Sequence, residues 1–152
     1  MRAARFAAPM NPHFRALNAS IGFDKRLLRE DIDGSRAWVR ALSRSGLLSE
    51  EEAQEIDAGL ETVRQGIESG ELLLSEELED IHMNVESLLA DAVGPVAGKL
   101  HTGRSRNEQV ATDLRLYLRE RSRRIAAGIL SLVATLAETA QRNHDVIVPA
   151  YT

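Results

Sequence analysis

Apolar residues recur at helical spacing through most of this chain. From Asp24 to Ser45, Leu28, Ile32, Val39 and Leu42 fall on one face with Trp38 beside them, and Gly46 is placed to end the helix. Gly34 inside this span weakens the helix by roughly 1 kcal/mol relative to alanine without removing the pattern. Ser49 and Glu52 predict a capping box, and Ala53, Ile56, Leu60, Val63 and Ile67 follow at steps of three and four before Gly70. The stretch ELLLSEELED, residues 71 to 80, is ambiguous, whereas Ile81, Val85, Leu88, Leu89 and Ala92 predict a short helix ending at Gly94. Residues 1 to 23 have no helical period and contain Pro9, Pro12 and Gly22, so they read as an extended arm.

The longest pattern comes last. Val110, Leu114, Leu118, Ile125, Ile129, Leu132, Leu136 and Ala140 share one face with no proline before Pro149, which predicts a helix of about 38 residues, roughly 57 Å long. These 152 residues cannot wrap such a stripe, so helices from elsewhere must bury it, either a further portion of the protein or other subunits. The expected class is all-α: a small helical N-terminal domain over residues 1 to 104, then a long helix over 105 to 152.

Composition narrows the class. A 43% hydrophobic content is that of a globular chain, and the absence of cysteine removes disulfides and thiol chemistry. No apolar run approaches the ~18 residues of a membrane span, and the basic, alanine-rich MRAARFAAPM lacks the apolar core of a secretory signal. The expectation is a cytoplasmic protein without membrane contact. A net charge of −4 argues against a nucleic-acid coat. Arg115, Arg119, Arg121, Arg123 and Arg124 form a local basic cluster, but Asp113 and Glu120 interleave it and no aromatic ladder accompanies it, as on a solvated face.

The densest chemistry lies at residues 101 to 113, HTGRSRNEQVATD. Ser105 and Glu108 predict a second capping box, which sets Arg106 and Asn107 in the first turn of the long helix. Free N–H groups, the positive end of the dipole, guanidinium groups and a carboxamide then converge as a binding geometry for a carboxylate or phosphate. The same residues also suit an ordinary cap with solvated arginines. His82 and Glu86 stand one turn apart, as two metal ligands would, but without a convincing third. Lys99 and His101 flank the glycine-punctuated segment from Gly94 to Gly103 and are open to either anion contacts or packing. His144, near the end of the long helix, suits the dipole there.

HTGRSRNEQVATD with the following LRLYLR resembles the signature of the argininosuccinate lyase branch of the fumarase/aspartase superfamily, usually HTGRSRNDQ with a Val-Xaa-Thr-Asp continuation. Glu108 replaces the usual aspartate. The LNASIGFD text at 17 to 24 is similar to the family's FNASI segment, which delivers a serine to the substrate, so Ser20 is an expected ligand and Asp24 a weaker one. The family's opening Trp-Gly-Gly-Arg-Phe is matched only in part by Ala3-Ala4-Arg5-Phe6. EDIHMNVE, at 79 to 86, resembles a segment near the active site in which Asp80 and His82 would support the substrate loops without binding metal.

The resemblance implies reversible elimination of fumarate from argininosuccinate, leaving arginine, by a homotetramer whose central helical bundle the long helix opens. It implies substrate binding by Ser20, Arg106, Asn107 and Thr152, with no cofactor and no metal. The family's threonine-histidine pair follows a Pro-Gly-Tyr text. Here Pro149-Ala150-Tyr151-Thr152 ends the sequence where that histidine would come next, and no GSSxMPxKxNP-like serine loop is present. No catalytic residue is therefore assigned, and the chain reads as the front of such an enzyme, incomplete alone. The alternatives are a helical assembly or binding module without chemistry, and a nucleic-acid-binding helical protein using the arginine cluster.

Overall fold

A computed structural model describes residues 11 to 150, so Thr152 and the Ala3-Ala4-Arg5-Phe6 match lie outside the described residues. Helices α1 (Pro12–Asn18), α2 (Ile21–Asp24), α3 (Leu28–Arg44), α4 (Glu50–Ser69), α5 (Ile81–Val93) and α6 (Arg106–Arg142) follow in order, and no strand occurs among the described residues. The all-α expectation holds. Among the described residues, those from 11 to 114 form one compact unit and those from 115 to 150 form a second.

The arm departs from the extended reading at α1. Asn11 accepts a hydrogen bond from the His13 N–H at 2.9 Å, and Pro12 occupies a position where its missing N–H leaves nothing unpaired. The helix buries none of its residues, which is why no apolar period announces it. The helix expected from Asp24 is entered through a 3-10 turn, Lys25–Leu27, before α3 begins.

The expected face of α3 buries Ile32, Val39 and Leu42, and with them Asp31 and Ser35. Helix α4 is started by the predicted capping box. The Ser49 hydroxyl accepts from Glu52 N–H and the Glu52 carboxylate from Ser49 N–H, both at 3.1 Å. At its other end Gly70 takes φ 82, a left-handed conformation that suits glycine. Residues 71 to 80 are not helical. Buried Asn84 holds them, accepting from Ser75 N–H at 2.7 Å and donating to the carbonyls of Ser75 and Asp80 at 3.2 and 3.0 Å.

Ile32, Ile56, Leu60, Val63, Ile81 and Leu89 are fully enclosed where α3, α4 and α5 meet. Across the rim of this core, Arg36 of α3 donates to both Asp57 oxygens at 2.9 and 2.7 Å and to Glu61 at 2.8 Å, clasping α3 to α4. The segment after α5, read from sequence as a glycine loop, is a 3-10 helix, Gly94–His101. Pro95 stands in its first turn, and Ala97 and Leu100 tuck into the core.

In α6 the first unit holds Gln109 and Asp113, both buried. Asp113 is therefore not part of a solvated face. In the second unit Leu118, Ile125, Ile129, Leu132 and Leu136 of α6 are exposed. Arg121 stacks 4.8 Å over the Tyr117 ring and Arg124 pairs with Glu120 at 2.9 Å. Among the described residues, no helix is long and apolar enough to cross a membrane.

Candidate functional site at the start of the long helix

The turn into α6 is built as the capping box foretells, with one change of partner. Glu108 accepts from Ser105 N–H at 2.9 Å, while the Ser105 hydroxyl accepts from Asn107 N–H at 3.2 Å rather than from Glu108. Gly103 precedes it at φ 65, a conformation other residues rarely take. The Asn107 side chain is thereby set in the first turn, exposed to solvent.

Arg106 points back over α5. Its guanidinium donates to Gln109 Oε1 at 2.7 Å and to Glu86 Oε2 at 3.1 Å, and Asp80 Oδ2 lies 3.8 Å from its Nε. The chain's own carboxylates thus orient this cation. Glu86 also faces His101, whose Nδ1 is 3.5 Å from Oε1, and Lys99 is paired with Glu52. His82 and Glu86, spaced as a ligand pair, turn to different partners.

Ser20 meets the same region from the other side. Its hydroxyl donates to Asp24 Oδ2 at 2.5 Å and its N–H to the Glu79 carbonyl at 2.8 Å. Asp24 in turn accepts from Ile81 N–H at 3.2 Å, and Asp80 caps α5 by accepting from Met83 N–H at 2.6 Å. Ser20 and Arg106 are therefore both anchored on residues 79 to 81 or their immediate neighbours, Ser20 through Glu79 and Arg106 through Asp80. Asn107 stands on the next residue of α6.

Behind these groups lies a buried ionisable cluster that spacing did not reveal. His82 Nδ1 is 2.9 Å from Asp31 Oδ1 and 3.5 Å from Asp113 Oδ2, and donor atoms of the three residues all lie within 4.8 Å of one another. Gln109 Nε2 donates to Asp31 Oδ1, and Arg104 Nη1 donates to Ser35 Oγ at 3.1 Å. Gly34 explains its own presence in α3. A Cβ there would stand 3.2 Å from Asp113 Oδ1, so glycine lets this carboxyl approach the helix.

Burial opposes charge on His82, but the hydrogen bond to Asp31 and the charges of Asp31, Asp80 and Asp113 outweigh it and raise the imidazole above its ordinary value. Burial likewise opposes ionisation of Asp31, yet the bond from His82, with Gln109 and Arg104, holds it below the usual carboxylate range. Asp113 goes the other way. Burial first, then the Asp31 charge and a hydrogen bond shared with Asp31, push its carboxyl up to about 7 despite His82 and Arg104. Burial lowers the Arg104 guanidinium from its ordinary value, partly offset by the Asp31, Glu86 and Asp113 charges.

As they stand, an ionised Asp31 offsets a protonated His82, Asp113 is largely neutral below neutral pH, and the Arg104 guanidinium lies nearby. A divalent cation among the three donors would have to displace the His82 proton and face Arg104, while Asp31 already takes bonds from His82 and Gln109. The donor set fits protons better than a metal ion. The one signal in the sequence was Asp31 and Ser35 lying on the same face of α3 as Ile32 and Val39.

The family described as "Lyase" matches residues 4–152. An argininosuccinate lyase of Syntrophotalea carbinolica is 49% identical over 150 residues, 99% of this chain and 32% of that protein. Argininosuccinate lyase 2 of Shouchella clausii and an argininosuccinate lyase of Thioalkalivibrio sulfidiphilus are each 48% identical over 148 residues, 97% of this chain. The chain spans about a third of the length of these relatives, 32% in each case.

Proposed function

This chain belongs to the lyase family, and on that premise we propose that it is the N-terminal part of an argininosuccinate lyase, which eliminates fumarate reversibly from argininosuccinate to leave arginine. The observation that carries the reading is 49% identity to one such enzyme across 99% of the chain. The elimination needs a base to take a proton from the carbon beside a carboxylate. It also needs groups that hold the resulting aci-carboxylate, and an acid at the departing guanidino nitrogen. In this reading Asn107, the free N–H groups of the first turn of α6 and the pre-oriented Arg106 bind substrate carboxylates, and Ser20 adds a hydroxyl. Thr152 binds next to a histidine supplied by residues beyond it. The acid and base also come from beyond this sequence, and the enzyme works in the cytoplasm on the route to arginine.

The exposed apolar residues of α6, Leu118, Ile125, Ile129, Leu132 and Leu136, support assembly as a homotetramer around a shared helical bundle. Apolar area left in water costs about 25 cal/mol per Å², so a stripe of this length favours helical partners.

Fumarate absorbance in the ultraviolet tests the activity, using the longest natural polypeptide that contains this chain beside the 152-residue chain alone. The long form is expected to turn over argininosuccinate and the short one not to. Asn107→Ala and Ser20→Ala in the long form should each lower kcat/KM by about tenfold or more, with little change in Tm. Normal kinetics in both variants would refute the assigned site, and a long form inert toward argininosuccinate would refute the activity. Light scattering tests the assembly: Leu118→Asp should reduce its size, and a monodisperse wild-type monomer would count against the bundle.

A further inference from the structure

We propose that Asp31, His82 and Asp113 form a proton-sharing latch that roots the first two turns of α6 on α3 and α5 and loosens as pH rises. The geometry is that of one shared site. Asp31 Oδ1 accepts a hydrogen bond from His82 Nδ1 at 2.9 Å, Asp113 Oδ2 stands 3.5 Å from the same nitrogen, and the close approach at Gly34 brings Asp113 against α3. Asp31, His82 and Asp113 are each 1% exposed, so bulk solvent does not reach the two carboxyls. Asp31 Oδ2 and Asp113 Oδ2 are both enclosed with no hydrogen-bond partner among the described residues, which leaves room for a proton shared between the carboxyls. With that proton present, Asp113 donates to Asp31 and the pair carries one negative charge opposite His82. Without it, two enclosed anions face each other. The proton leaves to solvent, and no other bond is made or broken.

The charged groups facing the cluster are Asp80 of α5 and Arg104 of the connector, and Arg104 is itself flanked by Glu86 of α5 and Arg106 of α6. The folded Asp113 carboxyl sits at about 7, above its ordinary 3.8, so over that interval the folded chain keeps a proton that the opened chain releases. Attachment of α6 therefore weakens as pH rises between about 4 and 7. The raised His82 extends the loss upward, since its contribution is complete below 6.5 and disappears as pH passes its folded value. Asp31, held low, contributes above 3.8 and loses that contribution only in acid, as pH falls through its lowered value. The first turn of α6 carries Arg106 and Asn107, so the latch also fixes where they are presented. That consequence rests on the functional reading above. The latch itself does not, and the two can fail separately.

Amide hydrogen exchange resolved to residues 106 to 114 of the full chain, corrected for the intrinsic pH dependence of exchange, is the test. In the wild type the opening equilibrium should rise by up to about tenfold per pH unit between about pH 5 and 7, while peptides in the α4 core stay flat. In Asp113→Asn, whose amide can donate to Asp31 without titrating, that slope should largely vanish. Infrared spectroscopy of the wild type supplies a second measure: a protonated-carboxyl stretch should persist at about pH 5.5 and disappear on titration toward 8. A flat wild-type profile, an unchanged slope in Asp113→Asn, or no protonated-carboxyl band at that pH would each overturn the proposal. So would protection of residues 106 to 114 by added zinc in the wild type but not in the variant, which would make the cluster a metal site.

Discussion

Gln109 joins the solvent-facing groups of α6 to the buried cluster, and replacing it tests that connection. The side chain is 4% exposed. Its Oε1 accepts from Arg106 at 2.7 Å and its Nε2 donates to Asp31. Gln109→Leu keeps most of the volume and the helix propensity while removing both bonds. A hydrogen bond to a charged partner contributes about 1.5–3 kcal/mol. The full loss of two is not expected, because Asp31 keeps His82, Arg106 keeps Glu86 and the leucine gains by burial. A net loss of about 2–4 kcal/mol follows. With an m-value of about 2 kcal/mol/M in urea, that moves Cm down by about 1–2 M. Asn107→Ala, two residues away and exposed, serves as the control and should stay within about 0.5 kcal/mol of wild type. Urea titration followed by far-ultraviolet circular dichroism at constant pH measures both. A Gln109→Leu variant within 0.5 kcal/mol of wild type, or an equal loss in Asn107→Ala, would refute the reasoning.

Two further substitutions probe the scaffold. A Cβ at Gly59 would lie 2.5 Å from Val93 Cγ1 and 2.8 Å from Leu89 Cδ1. Overpacking at this α4–α5 contact should outweigh alanine's better helix propensity, so Gly59→Ala is expected to cost about 1–2 kcal/mol by urea titration; a more stable variant would show that α5 can yield there. Ser49→Ala removes one half of the α4 capping box and should cost about 1 kcal/mol, with an unchanged Tm counting against the cap as a stabilising element.

What the sequence disclosed and what it hid divide along the range of the interactions involved. The capping box at Ser49 and the stop at Gly70 are made within a few residues, so they appear in the text as they appear in the helix. The apolar periods of α3, α4 and α5 likewise identify the faces that meet in the core. Helix α1 escaped because it buries nothing and is started by Asn11 and Pro12, which also suit a turn. The buried cluster escaped for the opposite reason. Asp31, His82 and Asp113 are far apart in sequence, and each alone resembles an ordinary surface polar residue. Arg106 and Asn107 were legible as neighbours at a helix start, but not the Glu86 and Asp80 carboxylates that hold the arginine.

The start of α6 shows why periodicity identified the helix but not the face it buries. Two stripes run along it. Val110 and Leu114 make the apolar one and Arg106, Gln109 and Asp113 the polar one. Amphipathic reasoning turns the apolar stripe inward. In the first unit Gln109 and Asp113 of the polar stripe are buried instead, at 4% and 1%, while Val110 and Leu114 remain 39% and 47% exposed. The inversion is tolerated because Gln109 donates to Asp31 of α3 and Asp113 stands beside His82 of α5, both already fixed by other helices. It also leaves the apolar stripe free, which a helix rooted through its apolar side could not offer. A helix held by a polar seam on one face and apolar on the other can join its own unit and still present a seam to other helices. The proposed assembly requires that division of faces, and for the same reason loss of the Asp113 proton would loosen the root of α6 without weakening its apolar seam.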